Sequence, residues 1–465
     1  MQQNRAFLLF VLSLLAVAIG IPNDAFASTD ALMNYVAKPD DSYMWRVHAR
    51  YREGNSEIIE LRLHSQTWRE ILWKHQLYII KPSRIATEHH GLLIVGGGRW
   101  RDSYETAEPS NSLPEDADLF LTIAEQLQTV VAVLGQVPFQ PLFGMTEDRI
   151  IAYTFDQYLS TGDSEWPLLL PMVKSAVRAM DATQEASRAV WELQLETFTL
   201  LGGSKRGWTT WLAAAVDERV TALAPVVIDV LNMARHFPYQ TEVWGSPSEK
   251  IHPYTELNLH QVLGSPEGQG LREIVDPFAY RAMIRQPKLI VIATNDEYFP
   301  VDSLNLYWDD LEGPKYILYL PNDGHSIEDY GRVIPSLNAL HKSAAEGSPM
   351  PQLAWEYESR DTALVLCFRS DVRPYEARSW IANSDDRDFR DAQWTSTSLE
   401  LEGGIYVFEL PRPSNGYSAV YGEAVFGEGR YAYSLSTTLT VLGSREADSV
   451  GRSTPSYGSV CELSE

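Results

Sequence analysis

Residues 197–212 read TFTLLGGSKRGWTTWL, and the fold follows from how this stretch is parsed. It opens with an apolar, β-branched and aromatic run, the pattern of a buried strand. Gly202 and Gly203 end that run, Ser204 follows, and WTTWLAAAV from Trp208 reads as a helix. Strand, tight glycine turn, serine and helix together describe a nucleophile elbow. The shape serves the chemistry, because a serine hydroxyl is a poor nucleophile until it is held exposed beside a base. The free N–H groups and positive dipole end of the following helix favour a nearby oxyanion. The usual elbow is G-x-S-x-G. Here Gly202 fits the first glycine, Arg206 stands where the second belongs, and Gly207 comes one residue late. The competing parse is a Gly-Gly turn with Ser204 as a helix N-cap.

Upstream, GLLIVGGGRW (91–100) is a buried strand running into three glycines, and TVVAVLG (129–135) is another. Gly97 and Gly98 are candidates for the second half of an oxyanion hole, since a Gly-rich loop can turn backbone N–H groups toward a ligand. A plain strand-end turn is the alternative. G-x-G-x-x-G is absent, so no dinucleotide fingerprint is present. Residues 42–82 carry three alternating stretches, expected to be antiparallel strands at one sheet edge. His48, His64 and His75 fall within them and read as surface or packing residues, as does the pair His89 and His90, expected in a loop. Helical spacing at 113–128, 148–159 and 168–191 separates the strands, which predicts a mostly parallel sheet covered on both faces.

Downstream, RVTALAPVVIDVLNM (219–233) gives a strand ending near Asp229. Residues 234–286 are rich in aromatics, Pro and Gly with helical pieces, and read as a cap inserted over the site. The sheet resumes with strands at 288–293 and 315–320, followed by Asp296 and His325. Catalytic groups in such sheets gather at the C-terminal strand ends. Ser204, Asp296 and His325 all fall there, in the order Ser…Asp…His of α/β-hydrolases. Agreement of three placements favours the nucleophile parse of Ser204. Asp229 is the rival acid, or a structural group capping the turn into the next helix. Asp296 is preferred because its strand should neighbour the one before His325. The acid then accepts the Nδ1–H while Nε2 faces Ser204.

From about residue 348 the pattern becomes short strands and turns, a small β-sandwich of immunoglobulin or fibronectin-like type (348–465) without evident chemistry. The expected organisation is a leader at 1–27, an α/β-hydrolase domain at 28–347 and this all-β domain. Arg5, an apolar core to Ile19 and the A-x-A site Ala25-Phe26-Ala27 form the leader, with cleavage expected after Ala27 and a periplasmic or secreted destination. An uncleaved anchor helix is the alternative, and cleavage would leave no stable membrane span. The two cysteines, Cys367 and Cys461, are either one disulfide or two buried thiols. A net charge of −24 argues against nucleic-acid binding.

At this point the sequence resembles the PhoPQ-activated pathogenicity-related proteins. The resemblance rests on QVPFQPLFG (136–144), EDRIIAYTFDQYL (147–159), LPMVKSAVRAMDATQE (170–185), the long stretch GGSKRGWTTWLAAAVDERVTALAPVVIDVLN (202–232), and ATNDEYFPVDS and LYLPNDGHSI around Asp296 and His325. It implies an exported α/β-hydrolase-like protein with a C-terminal β domain and a link to bacterial virulence, and it names no substrate. The elbow is also similar to that of glucuronoyl esterases, where a basic residue follows the nucleophile. Here that residue is Lys205, whose N–H can bind the oxyanion whatever its side chain does. The side chain either recognises substrate or is a surface lysine at a helix start.

These readings converge on an exported serine hydrolase of an ester or amide, acting on a small molecule or peptide, with no metal or organic cofactor implied. Two alternatives stay open. One is a non-catalytic secreted binding or signalling protein. The other is a carbohydrate esterase in which Trp208, Trp211 and Trp244 stack on sugars, although Trp208 and Trp211 at i, i+3 spacing also suit a core.

Overall fold

Alternation at one end of the chain and solid apolar runs in the middle produce a single mixed sheet. The computed structural model describes residues 29–106, 108, 110, 112–114, 117–444 and 460–461; the expected leader and its cleavage site lie outside the described residues. Strands β1 (Met44–Glu53), β2 (Ser56–Trp68) and β3 (Ile71–Lys81) form antiparallel pairs. They are followed by β4 (His90–Val95), β5 (Val131–Leu134), β6 (Thr197–Gly203), β7 (Val220–Val226), β8 (Lys288–Ala293) and β9 (Lys315–Leu320). The sheet order is β1-β2-β3-β5-β4-β6-β7-β8-β9. From β5 through β9 every pair is parallel. Every residue of β4, β5 and β8 is buried, as strands covered on both faces require. With the exchange of β4 and β5 in an otherwise sequential order, this is the α/β-hydrolase fold.

Two local expectations change. His90 is the first residue of β4 rather than a loop residue. It is buried, its ring nitrogens lie 2.8 and 2.9 Å from the hydroxyls of Thr197 and Thr199, and burial pushes it down to about 4, so it packs as a neutral ring. Strand β7 stops at Val226, which leaves Asp229 in the loop that follows. Between β7 and β8 the chain forms a helix at Met233–Trp244 and then short helical turns through Tyr280.

The C-terminal region forms β10 (Leu353–Ser359), β11 (Ala363–Ser370), β12 (Glu376–Ser384), β13 (Thr395–Ser398), β14 (Leu401–Glu402), β15 (Ile405–Pro411), β16 (Tyr417–Phe426), β17 (Tyr433–Ser436) and β18 (Thr440–Gly443). One sheet runs β10-β11-β15-β14, the other β13-β12-β16-β17 with β18 on β16. Leu364, Leu366 and Phe368 of β11 share one buried cluster with Ala419 and Tyr421 of β16. Cys367 on β11 is disulfide-bonded to Cys461. This region packs directly on the hydrolase sheet. Tyr421 lies 4.8 Å from the ring of Tyr319 on β9, and the fully buried Glu423 pairs with Arg332.

Candidate active site

The elbow is fixed by close packing of a helix on a strand. Gly207, on the helix Lys205–Val216, approaches the end of β6 so closely that a Cβ there would lie 2.7 Å from the Gly202 carbonyl oxygen and 2.8 Å from Ile228. Gly202 is equally constrained, because its Cβ would strike the Arg206 carbonyl. The late glycine therefore does the work of the missing one. Arg206, freed from that duty, lays its guanidinium over Gly97 and bonds the Val137 carbonyl (2.6 Å) and Glu147 (3.0 Å). Ser204 itself has φ 54° and ψ −130°, a backbone region that non-glycine residues rarely occupy outside functional turns. Its N–H donates to Val226 O at 2.8 Å. Although it stands at the N-cap position, its side chain makes no capping bond.

That side chain faces His325. Ser204 Oγ lies 2.9 Å from His325 Nε2, and His325 Nδ1 lies 2.8 Å from Asp296 Oδ2. These partners require Nδ1 to carry the proton and Nε2 to accept the serine O–H. Asp296 also accepts the Tyr298 N–H at 2.8 Å. Burial pushes its carboxyl up, and the bond and charge of His325 oppose that shift. Tyr298 stacks on the imidazole with ring centres 4.0 Å apart. The two loops are tied together by Asn295 N–H to Asp323 O (3.0 Å), Asn322 N–H to Thr294 Oγ1 (2.9 Å) and His325 N–H to Glu297 Oε2 (3.0 Å). Asp229 is buried nearby, and among the described residues neither of its oxygens has a partner in hydrogen-bond geometry. Tyr307 and the Leu304 backbone face its carboxyl outside hydrogen-bond geometry. Burial pushes Asp229 up to about 8. The start of the next helix is met by Asp276 instead, which accepts the N–H groups of Asn232 and Met233 at 3.3 and 2.8 Å.

Lys205 is buried rather than on the surface, and its ammonium sits between Glu147 Oε2 (3.0 Å) and Asp148 Oδ2 (3.1 Å). Burial alone would raise the Glu147 carboxyl, but Arg206 and Lys205 hold it down at about 2. Ser204, Lys205 and Asp148 share a pocket with Trp208, Phe237 and Phe299. Gly97 and Gly98 line a separate cavity of about 590 Å³ with Tyr78, Tyr104 and Gln136. Of the three tryptophans, Trp211 is fully buried in the core, Trp208 lines the Ser204 pocket, and Trp244 is covered by Arg390 at 4.3 Å.

The all-β region touches this site, which its sequence did not indicate. Asn295, next to Asp296, donates its amide to the carbonyls of Arg390 (3.0 Å) and Ala392 (2.8 Å). Asn322, on the His325 loop, exchanges two bonds with the backbone of Trp394 (2.7 and 3.0 Å). Arg387 bonds Asp302 and Tyr239 at 3.0 and 2.6 Å. The charged run DDRDFRD at 385–391 supplies Arg387, but the bonds to Asn295 and Asn322 come from main-chain atoms and leave no mark in the sequence. We expect Asn295→Ala to lower kcat roughly tenfold with KM nearly unchanged, because a small misplacement of the acid loop is costly while the pocket stays intact. Steady-state kinetics beside a thermal melt checks this; an unchanged kcat would remove the clamp from function.

Residues 32–390 match the family described as PhoPQ-activated pathogenicity-related protein. Autocrine proliferation repressor protein A of Dictyostelium discoideum is 29% identical over 462 residues, covering 91% of this chain and 89% of that protein. Among solved structures, acetyl xylan esterase 1 from Thermoanaerobacterium sp. JW/SL YS485 is similar with a TM-score of 0.47 at 15% identity, over 69% of this chain and 93% of that one. A glucuronoyl esterase from Solibacter usitatus is similar with a TM-score of 0.39 at 14% identity, over 68% and 91%.

Proposed function

We propose that this chain, which belongs to the PhoPQ-activated pathogenicity-related protein family, is a serine hydrolase that cleaves esters. The observation that carries the proposal is the unbroken relay from Ser204 Oγ to His325 Nε2 and from His325 Nδ1 to Asp296, at the mouth of a pocket. In this reading His325 takes the Ser204 proton as the oxygen attacks the carbonyl carbon, and Asp296 stabilises the imidazolium. The tetrahedral oxyanion is held by the Lys205 N–H, one of the unpaired donors at a helix start. Gly97 and Gly98, expected from the sequence to supply the second donor, line the separate cavity, and no second donor is assigned. His325 then returns its proton to the leaving alcohol, and water repeats the cycle on the acyl-enzyme. Export fits the leader sequence, and the Cys367–Cys461 bridge suits an oxidising compartment.

Lys205 bears on substrate choice. A uronate carboxylate would have to displace both Glu147 and Asp148 from its ammonium, so the geometry favours a positioning role for this side chain over carboxylate recognition. The second reading, a secreted signalling protein without turnover, draws on the name of the Dictyostelium relative. A panel of short-chain esters and amides presented to purified protein separates the two. Hydrolysis of esters that disappears in Ser204→Ala supports the enzyme, and no turnover of any substrate supports the signalling protein.

A further inference from the structure

The pocket beside Ser204 is narrow, about 40 Å³, room for about two or three small groups. Its walls are apolar: Ile228, Val230, Phe237, Leu263 and Phe299. His236 breaks the pattern. It lies in the helix Met233–Trp244, is 1% exposed, and lines the same pocket. Its ring makes edge contacts with Phe237 and Phe299, with centres 5.7 and 5.6 Å away, and Phe299 in turn lies 6.3 Å from His325. Neither ring nitrogen has a hydrogen-bond partner among the described residues. Gln240 and Asp148, two other polar side chains of the pocket, are already engaged. Gln240 bridges Tyr298 O (2.6 Å) and the Ser248 N–H (3.0 Å), and Asp148 accepts from Lys205 and Tyr254.

An imidazole offers one donor and one acceptor, and burying both without partners is costly. A purely apolar substrate arm would leave them so, and the position would then be better served by a Phe or Leu. A group that both donates and accepts, a hydroxyl, satisfies whichever nitrogen a turn of the ring presents to the pocket, both being buried in the structure. We infer that His236 is a substrate-binding residue, pairing with a hydroxyl on the short acyl arm of an ester seated against Ser204. The substrate class is an ester of a small hydroxy acid. This inference rests on the hydrolase reading and adds the identity of the arm. Burial pushes His236 down to about 3, so across the working pH range the ring stays neutral and discriminates by hydrogen bonding rather than by charge.

The test compares ethyl glycolate with ethyl propionate, which differ by a hydroxyl in place of a methyl. Sites built to bond a hydroxyl discriminate strongly against its absence. The glycolate-to-propionate ratio of kcat/KM is expected to fall at least about tenfold in His236→Phe and to recover in part in His236→Gln, which keeps a donor and an acceptor. Should the Phe variant lose its melting transition, His236→Leu makes the same comparison. Calorimetric binding of ethyl glycolate to the Ser204→Ala protein, with and without His236→Phe, reads the contact without turnover. A ratio unchanged in a folded variant, with turnover intact, overturns the assignment of His236 alone. Glycolate binding that depends on His236 in a protein without any turnover overturns the hydrolase reading alone. Ethyl propionate turned over while glycolate neither binds nor reacts overturns the assignment of His236 alone, and the absence of glycolate binding together with no turnover of either ester overturns both.

Discussion

Ser204→Ala is expected to lower ester hydrolysis by about five powers of ten or more, the usual consequence of removing a triad nucleophile. The fold should be unaffected, for reasons visible at the elbow. The N–H of Ser204 still donates to Val226 O, and its carbonyl still accepts the Trp208 N–H at 3.0 Å. The hydroxyl caps no backbone group, so the only bond lost is the one to His325. Alanine meets the same backbone strain at φ 54° as serine does. A melting temperature within a few degrees of the parent, beside lost turnover, is the expected pair of results. Turnover within a hundredfold of the parent would remove the covalent mechanism.

Asp296→Asn should cost about four powers of ten in kcat near neutral pH. An amide NH₂ in place of Oδ2 cannot accept the Nδ1–H. The imidazole is then driven to the other tautomer, whose Nε2 carries the proton and no longer accepts from Ser204. Asp229→Asn is expected to do the opposite. Its carboxyl, faced by Tyr307 and the Leu304 backbone, stays protonated up to about pH 8, so a neutral amide replaces a neutral acid with activity retained. The sign of its pH effect follows. A folded pKa of about 8 above the unfolded value of about 3.9 means that the contribution of Asp229 to stability is complete below pH ~4. It is lost as pH rises through about 8, where ionising the buried group opposes folding. Denaturant melts at pH 5 and pH 9 should show that loss in the parent and not in Asp229→Asn. A silent Asp296→Asn beside a dead, stable Asp229→Asn would exchange the two roles.

The parts of this molecule legible in the sequence are those whose signal is local. A solid apolar run of strand length bounded by turn residues reads as a strand covered on both faces, and 288–293 and 315–320 are β8 and β9 with those bounds. Strand ends in turn locate Asp296 and His325, because the residue after a parallel strand sits at one edge of the sheet. What failed to show was long-range. Nothing in the spacing of Lys205 reveals that Glu147 and Asp148 come to meet it from another helix start. His236 reads from the sequence as one more residue of an aromatic cap, and its place in the lining of the Ser204 pocket is visible only in the fold. The contact of Asn295 with Arg390 and Ala392 spans nearly a hundred residues, and no periodicity encodes it. Even the shifted glycine of the elbow makes sense only once the helix is seen to cross Gly202 at residue 207.

The most direct test is to treat native protein with a fluorophosphonate, which phosphonylates an activated serine with loss of fluoride, and to map the adduct by peptide mass spectrometry. Trypsin cuts after Arg188 and Lys205, so Ser204 lies in the peptide from Ala189 to Lys205. One adduct is expected, on Ser204, absent from unfolded protein and from His325→Ala because activation requires the histidine. A native protein whose Ser204 remains unmodified, or one that labels elsewhere while still hydrolysing esters, would contradict this expectation.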